Sequence, residues 1–383
     1  MRNFEVYFYN LLKKIIKKKT GLHEPVFINK DFNYVKSCIK SSYVSTRGKF
    51  TNKFEKEISK ITKSKYIVAT NSGTSGLELA LRTVGIKDNY EVLVPALTFV
   101  ASVNSIKFCN AIPHFVDSET SDLGIDVLKL NEYLKKNTFK KKKFLYNKIS
   151  GRRIFAIMPV HIFGMPCNIS GIQKLAKKFN LKVVEDATEA LGSKFKGKQM
   201  GTFGDIGVLS FNANKIVTTG GGGALLIKKK KDYNKAFLLS TTAKVRHEWL
   251  LQHKEIGWNI RMPALNASLG LSKLENFSKI LIKKRNLAFR YKQLFKNSSL
   301  SFFEEKKNVK SNFWLNTIIL KDDQVKFRKK ILDYCNLKGI ECRPAWNLIS
   351  EMKIYKKNPK SNLDNAIRLQ KKIINIPSGL NLF

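Results

Sequence analysis

Short apolar segments alternate with segments of helical periodicity over residues 50–227, and this alternation constrains the fold more than any other feature. The segments at residues 154–160 and 224–227 are apolar throughout, which is typical of strands covered on both faces. Helical segments such as residues 76–84 and 169–179 lie between the strand-like ones. The pattern predicts an α/β fold with a mostly parallel central sheet covered by helices. In such folds functional side chains collect at the strand ends.

The pattern changes near residue 250, where long helical stretches replace the alternation. Residues 263–294 contain two such stretches, and weak strand patterns follow at residues 313–320 and 340–343. A chain of 383 residues is long for one compact unit, so this change predicts a smaller α+β domain behind a large one. The predicted bounds are 1–21 for a basic N-terminal segment, 22–250 for the large domain and 251–383 for the small domain.

Two basic stretches carry weaker structural signals. The apolar run within residues 1–20 is too short and too interrupted for a signal peptide or a transmembrane helix. We interpret this stretch as a frayed N-terminal helix, with a basic amphipathic helix on a membrane surface as the alternative. Residues 134–152 are rich in lysine and predict a surface loop or insertion of low order. No other segment has the length and hydropathy of a membrane span.

The formal net charge of +42 is compatible with a nucleic-acid or anionic-membrane partner. It is also compatible with a lysine-rich composition spread over the solvated surface. Lysines occur along the whole chain and no zinc-finger or RNA-recognition motif accompanies them, so we expect no dedicated nucleic-acid partner. The five cysteines are scattered without CxxC spacing. This favours reduced thiols in a cytoplasmic protein and argues against a zinc site.

A lysine and a carboxylate that follow two predicted strands indicate the chemistry. Lys215 follows the strand at residues 206–210 and precedes four glycines, whereas Asp186 ends the apolar strand at residues 183–184. Pyridoxal phosphate requires such a pair, because a lysine amine condenses with its aldehyde and a carboxylate keeps its ring nitrogen protonated. By itself Asp186 would more readily be an N-cap of a following helix, and a single lysine would be a surface residue. The local sequence favours the cofactor.

Other residues could complete a cofactor site. Residues 71–76 place small side chains at the start of a helix, where free backbone N–H groups and the hydroxyls of Thr74 and Ser75 form a phosphate cradle. Ser210 could add a phosphate contact, and Phe99 could stack on a flat heteroaromatic ring. A simple capped turn and a core aromatic residue are the common structural explanations for these same features.

Several motifs, taken in order along the chain, resemble those of the DegT/StrS-type nucleotide-sugar aminotransferases. The similarity runs from about residue 26 to the end. The motifs lie at residues 71–75, 95–99, 185–189, 210–215, 257–261, 343–346 and 376–379. The resemblance implies an aspartate-aminotransferase-like fold (fold type I of the pyridoxal-phosphate-dependent transferases). It also implies a homodimer with active sites at the subunit interface.

The resemblance further implies a role for each matching residue. Lys215 is the lysine that binds pyridoxal phosphate covalently, Asp186 pairs with the ring nitrogen, and Phe99 covers the ring. The phosphate is held by Thr74, Ser75, Ser210 and, from the neighbouring subunit, Asn259.

Glu189 departs from the family pattern, because many members carry Gln or His at this position near the phenolic oxygen of the cofactor. A second carboxylate there is either protonated or hydrogen-bonded elsewhere. Relatives that dehydrate sugars replace the reactive lysine with histidine, so Lys215 favours transamination.

Residues 210–223 and 241–245 are most similar to a subgroup in legionaminic acid and bacillosamine pathways, which supply sugars for surface glycans such as lipopolysaccharide. These enzymes aminate C4 of a UDP-linked 4-keto-6-deoxy-N-acetylhexosamine, and glutamate is the expected amino donor. The alternative substrates are other keto sugar nucleotides, of the 3-keto or perosamine type. The alternative outside enzymes is a basic protein that binds nucleic acid or a membrane surface.

Overall fold

The computed structural model describes residues 3–46, 48–245 and 247–382. Its α-helices are α1 (Phe4–Lys13), α2 (Asn29–Lys40), α3 (Lys49–Thr62), α4 (Gly73–Val84), α5 (Val100–Phe108), α6 (Val127–Asn137), α7 (Ile169–Phe179), α8 (Lys230–Ser240), α9 (Ala264–Glu275), α10 (Phe277–Lys296), α11 (Arg328–Leu337) and α12 (Asp364–Lys372). Its strands are β1 (Tyr66–Thr70), β2 (Glu91–Pro95), β3 (Ile112–Val116), β4 (Thr138–Lys141), β5 (Phe144–Asn147), β6 (Arg153–Ile157), β7 (Lys182–Asp186), β8 (Lys194–Phe195), β9 (Lys198–Gln199), β10 (Ile206–Ser210), β11 (Gly223–Ile227), β12 (Ser301–Phe302), β13 (Val309–Lys310), β14 (Asn316–Ile319), β15 (Arg343–Pro344) and β16 (Ile373–Ile376).

The largest sheet follows the order β1-β11-β10-β7-β6-β2-β3, and the β4–β5 hairpin is attached to β6. The neighbouring strands from β10 to β3 run parallel, whereas β11 lies antiparallel between β1 and β10. Parallel neighbours need long crossover connections; helices supply them between β2 and β7, whereas the connection from β7 to β10 contains the short strands β8 and β9. The α/β class and the mostly parallel sheet, which the alternation predicts, are confirmed.

Side chains of the central strands alternate between two apolar layers. Val68 of β1 and Leu225 of β11 face the layer that α4, α5 and α8 form. Their neighbours Ile67 and Leu226 face the opposite layer, which α3, α6, α7 and α9 form. Successive strand residues point to opposite faces, so a strand with helices on both sides has to be apolar throughout. This explains the uninterrupted apolar run at residues 224–227.

A second, antiparallel sheet has the order β12-β14-β16-β15 and packs with α1, α10 and α11 around one apolar cluster. Phe4 and Phe8 of α1 are buried in this cluster, and the ring of Phe4 lies 5.1 Å from that of Phe327. The expectation of a frayed N-terminal helix is therefore wrong, because an apolar face of α1 is covered by the C-terminal part of the chain. The predicted domain bounds stay a prediction.

Residues 134–152 contain the end of α6 and a β-hairpin. The strands β4 and β5 pair in register around a two-residue turn at residues 142–143. The rings of Phe139 and Tyr146 stack with centroids 5.6 Å apart, and Leu145 is buried. The prediction of a loop is wrong, because β4 and β5 pair along their whole length and burial alternates along β5, where Leu145 and Asn147 are buried.

All five cysteines are buried free thiols. Within residues 3–46, 48–245 and 247–382, no helix has the length and hydropathy needed to cross a membrane. The same residues contain no group of three or more His, Cys, Asp or Glu side chains that could hold a metal ion.

The strands that carry predicted site residues end at one edge of the large sheet. Strands β2, β7 and β10 run in the same direction and end at Pro95, Asp186 and Ser210. Strand β1 also runs in this direction, because it and β10 are both antiparallel to β11. It ends at Thr70 and leads into α4. Ligand sites of open α/β sheets lie at this carboxyl edge.

Candidate active site

A cavity of about 300 Å³ lies at the carboxyl edge of the large sheet. The C-terminal part of the chain closes one of its sides with the indoles of Trp314 and Trp346. Ser75 and Asn259 are not among the residues that line it. The predicted site residues that do line it are Thr74, Phe99, Asp186, Glu189, Ser210 and Lys215.

Lys215 lies in the turn between β10 and β11, where its backbone N–H donates to the Asn212 carbonyl at 2.9 Å. Its Nζ is 3.4 Å from Oε1 of Glu189 and 4.0 Å from the centroid of the Trp314 ring. The indole Nε1 of Trp314 donates to the Asn214 carbonyl at 2.7 Å, which ties the ring to the same turn. The amine is therefore held inside the cavity, between a carboxylate and an aromatic face that attracts cations.

Asp186 is a buried carboxylate whose hydrogen-bond partners are neutral. Its Oδ2 accepts a hydrogen bond from the Ser102 hydroxyl at 2.7 Å, and its Oδ1 accepts one from the Thr188 backbone N–H at 3.1 Å. No cationic side chain within the described ranges forms an ion pair with it. A buried carboxylate is costly without a cation, and a protonated pyridine ring would supply one. The alternative role as an N-cap is wrong, because the next α-helix begins only at Lys230.

The N-terminus of α4 faces the cavity and has the form of the predicted phosphate cradle. The Ser72 hydroxyl caps the helix by accepting the Ser75 backbone N–H at 3.0 Å, and Ser72, Gly73 and Thr74 line the cavity. The first N–H groups of a helix have no partner inside it, and the positive end of the helix dipole favours an anion there. A Cβ on Gly73 would lie 2.9 Å from Cβ of Ser210, so glycine permits this close approach. The Ser75 hydroxyl bonds to the Ser72 hydroxyl at 2.7 Å.

Glu189 shares the cavity with Lys215 and has a raised pKa. Its Oε2 accepts a hydrogen bond from the Phe163 backbone N–H at 2.7 Å. Burial raises the pKa of Glu189 to about 7, although Lys215 and the Phe163 N–H favour the ionised form. A carboxyl with this pKa exchanges a proton readily near neutral pH. The hydrogen bond from the Phe163 N–H agrees with one of the two alternatives that the sequence left open for Glu189, and the raised pKa favours the other; its role toward the cofactor stays a prediction.

Aromatic side chains form the mouth of the cavity. Phe99 is 51% exposed, and its ring lies 6.0 Å from that of Trp346. The Trp346 ring in turn lies 5.0 Å from that of Phe163. Flat apolar faces at an open rim suit the stacking of a planar ring, which is the role predicted for Phe99.

Three side chains that line the cavity were not assigned from the sequence. Trp314 and Trp346 come from the C-terminal part of the chain, far in sequence from the other residues of the cavity. No local sequence pattern indicates that such distant residues reach it. Trp346 lies within a motif that carries the family resemblance, which is a signal for the segment only. Ser102 is one helical turn beyond Phe99, and this spacing on α5 could have placed it at the same edge of the sheet.

A family model described as the DegT/DnrJ/EryC1/StrS aminotransferase family matches residues 26–382. The chain belongs to this family. It is 35% identical over 340 residues to a GDP-perosamine synthase of Escherichia coli O157:H7, covering 88% of this chain and 87% of that protein. It is also 30% identical over 337 residues to a UDP-4-amino-4,6-dideoxy-N-acetyl-beta-L-altrosamine transaminase of Campylobacter jejuni, covering 87% and 86% respectively.

Solved structures show the same fold. Helicobacter pylori PseC, described as an aminotransferase involved in the biosynthesis of pseudoaminic acid, has a TM-score of 0.85 and 25% identity and covers 94% of both chains. The fold and the family that the motifs imply are confirmed. The similar proteins carry names with both GDP-linked and UDP-linked sugars, so the legionaminic acid and bacillosamine subgroup stays a prediction.

This aminotransferase depends on pyridoxal phosphate, and the cavity fits that cofactor. It presents an amine at Lys215, the N-terminus of α4, and a buried carboxylate at Asp186 that forms no ion pair with the cationic side chains that the structure describes. When bound, pyridoxal phosphate supplies an electron sink and carries the amino group. The roles of the individual residues toward it remain predictions.

Asn259 lies outside the cavity of its own chain. Its side chain is exposed, and its backbone forms an isolated antiparallel bridge with Thr241. The resemblance assigns it to the phosphate of a neighbouring subunit. An exposed position is compatible with that assignment, which stays a prediction together with the homodimer.

Proposed function

We propose that this enzyme transfers an amino group from glutamate to C4 of a UDP-linked 4-keto-6-deoxy-N-acetylhexosamine, in the synthesis of sugars for surface glycans. The observation that carries the proposal is the placement of Lys215, Asp186 and the α4 N-terminus around one cavity. The similar proteins from E. coli and C. jejuni are named for amino sugars attached to nucleotides, which supports a sugar nucleotide as acceptor.

In this proposal each residue of the cavity has a separate role. Lys215 Nζ removes the proton from Cα of the amino acid, and in the second half of the reaction it delivers a proton to C4 of the sugar. Asp186 holds the proton on the ring nitrogen of the cofactor. The helix N-terminus and the Ser210 hydroxyl fix the phosphate, so the reacting atoms stay in place through both halves.

The UDP-linked acetamido sugar is supported by the resemblance of residues 210–223 and 241–245 to the legionaminic acid and bacillosamine enzymes. The second candidate is a GDP-linked 4-keto-6-deoxyhexose. It is supported by the 35% identity to a GDP-perosamine synthase over 88% of the chain. Both candidates place the ketone at C4, so they differ in the nucleotide and in the group at C2.

The homodimer is part of the proposal, because Asn259 is exposed and lies apart from the cavity of its own chain. In a symmetric dimer Asn259 of each subunit would reach the active site of the other subunit, because a two-fold axis makes the two contacts equivalent. Each active site would then contain Lys215 from one chain and Asn259 from the other.

The test is an assay of the purified enzyme with glutamate and each of two acceptors, UDP-4-keto-6-deoxy-N-acetylglucosamine and GDP-4-keto-6-deoxymannose. Formation of 2-oxoglutarate and the mass of the amino sugar nucleotide are measured. We expect kcat/KM for the UDP-linked acceptor to be larger by at least about tenfold, or 1.4 kcal/mol.

The matched controls are Lys215→Ala, which should form no product, and Lys141→Ala on the exposed hairpin, which should behave as the wild type. A larger kcat/KM for the GDP-linked acceptor would select the second candidate. If neither acceptor is aminated by protein that retains pyridoxal phosphate, the assignment of a 4-keto sugar nucleotide is wrong.

A further inference from the structure

His23 is a buried histidine whose ring nitrogens have no protein partner in the described part of the chain. It lies between α1 and α2 and is 9% exposed, and neither Nδ1 nor Nε2 forms a hydrogen bond there. Buried polar groups in folded proteins are paired with few exceptions, and each exception costs stability. The unpaired ring therefore points to a ligand.

His23 lines a second cavity, of about 590 Å³, beside the catalytic one. Asn214, Trp314 and Trp346 belong to the walls of both cavities. The Trp314 ring also lies 4.0 Å from Nζ of Lys215. A molecule whose reacting atom is at Lys215 can therefore extend past the two indoles toward His23.

The charged side chains that line the second cavity disfavour an anion. They are Glu24, Glu341 and Arg343, which is two carboxylates and one guanidinium. The Nε of Arg343 donates to Oε1 of Glu341 at 2.7 Å, so its charge is already compensated. The side chains that line this cavity therefore offer no unpaired cation to a carboxylate or a phosphate, whereas a neutral polar molecule needs none.

The ring of His23 is neutral. Burial lowers its pKa, and the neighbouring amines of Lys284 and Lys215 lower it further. Lys284 is itself buried and donates to the Trp314 carbonyl at 2.8 Å. A neutral imidazole has one N–H donor and one acceptor nitrogen, which suits a hydroxyl or an amide.

We propose that the second cavity binds the pyranose ring of the sugar-nucleotide substrate, and that His23 hydrogen-bonds a neutral hydroxyl or acetamido group on that ring. The C–H faces of a pyranose pack against aromatic side chains, which the shared walls supply at Trp314 and Trp346. The inference rests on the proposed function, because the pyranose is that of the amino-group acceptor. It makes His23 a specificity-determining residue for the half of the reaction in which the sugar reacts.

The test measures the two half reactions separately on holoenzyme, for the wild type, His23→Leu and His23→Gln. The absorbance of the bound cofactor follows the reaction with glutamate, and then the reaction of the aminated enzyme with the keto sugar nucleotide. His23→Leu should raise the apparent dissociation constant of the sugar nucleotide about tenfold and leave that of glutamate within about twofold. His23→Gln retains a donor and an acceptor and should recover part of the loss.

Calorimetric titration of cofactor-free protein with UDP-N-acetylglucosamine gives a readout that is independent of activity, and His23→Leu should weaken this binding as well. Equal losses in both half reactions, or no change in either, would overturn the inference. A loss confined to glutamate would assign the cavity to the amino donor and overturn it also.

If circular dichroism shows that His23→Leu does not fold, the dissociation constants of glutamate and of the sugar nucleotide are compared for His23→Gln instead. If the wild type aminates no keto sugar, the proposed function fails on its own. The titration then still decides whether His23 contributes to a carbohydrate site.

Discussion

Replacing Glu189 by glutamine tests whether burial or the neighbouring Lys215 has the larger effect on the pKa of this carboxyl. Burial raises the pKa of Glu189 from 4.5 to about 7, whereas Lys215 acts in the opposite direction. The difference corresponds to about 3 kcal/mol at 1.36 kcal/mol per pKa unit. The side chain is 4% exposed, so water does little to reduce this free energy.

The sign follows from where each state binds the proton. The unfolded chain ionises Glu189 near pH 4.5 and the folded protein near pH 7, so the folded state holds the additional proton between these values. The free energy of unfolding of the wild type should therefore fall as the pH rises through this range and level off above it. Glu189→Gln keeps an acceptor for the Phe163 N–H without this loss. Relative to the wild type it should gain about 2 to 3 kcal/mol between pH 5 and pH 8.

The assay is urea unfolding of cofactor-free protein at pH 5, 6, 7 and 8. Glu132→Gln, at a side chain that is 69% exposed, is the control for loss of a carboxylate. Its free energy of unfolding should differ little from that of the wild type at every pH. In a Lys215→Ala background the pKa of Glu189 should rise further, which moves the pH range upward. If the wild type instead gains stability over Glu189→Gln as the pH rises, the ion pair with Lys215 dominates and the reasoning is refuted. A difference that does not change with pH refutes it too.

Three further predictions concern the cofactor site. Lys215→Ala should abolish turnover with an unchanged circular dichroism spectrum, because the phosphate cradle remains; near-normal turnover would contradict this. Asp186→Asn should lower kcat by about 100-fold or more while the protein retains pyridoxal phosphate, because an amide cannot hold the ring proton; an unchanged kcat would exclude that role. Mixing Asn259→Ala with Lys215→Ala subunits should restore activity in heterodimers, which contain one intact site; verified heterodimers without activity would place the site within one chain.

The parts of the fold that were predicted correctly are those that local patterns specify. The large sheet was predictable because strands with helices on both faces are apolar throughout, as at residues 224–227. The position of Asp186 was predictable because polar residues at the ends of such strands face the site. The helix α4 was predictable from its periodicity, although it begins at Gly73 and not at residue 76, within the small residues at 71–76.

The parts that were not predicted depend on contacts between distant segments. The docking of α1 rests on Phe4 and Phe8, whose partners lie in the C-terminal part of the chain. Nothing in the sequence of residues 1–20 indicates that the C-terminal part of the chain would cover this helix. The hairpin within residues 134–152 was missed for a different reason. Residues 140–143 are four consecutive lysines and residues 144–146 are three consecutive apolar residues, so the sequence shows no strand alternation there, and the strands are defined by the pairing of β4 with β5.

Trp314 connects the C-terminal part of the chain to the predicted catalytic lysine. Its carbonyl accepts a hydrogen bond from Lys284 at 2.8 Å, its Nε1 donates to Asn214 at 2.7 Å, and its ring lies against the amine of Lys215. The indole also lines both the catalytic cavity and the one at His23. A change that displaces this ring should therefore impair both half reactions, whereas a change at His23 should impair only the one with the sugar. This difference between the two half reactions would show that Trp314 contacts both reactants, whereas His23 contacts the sugar alone.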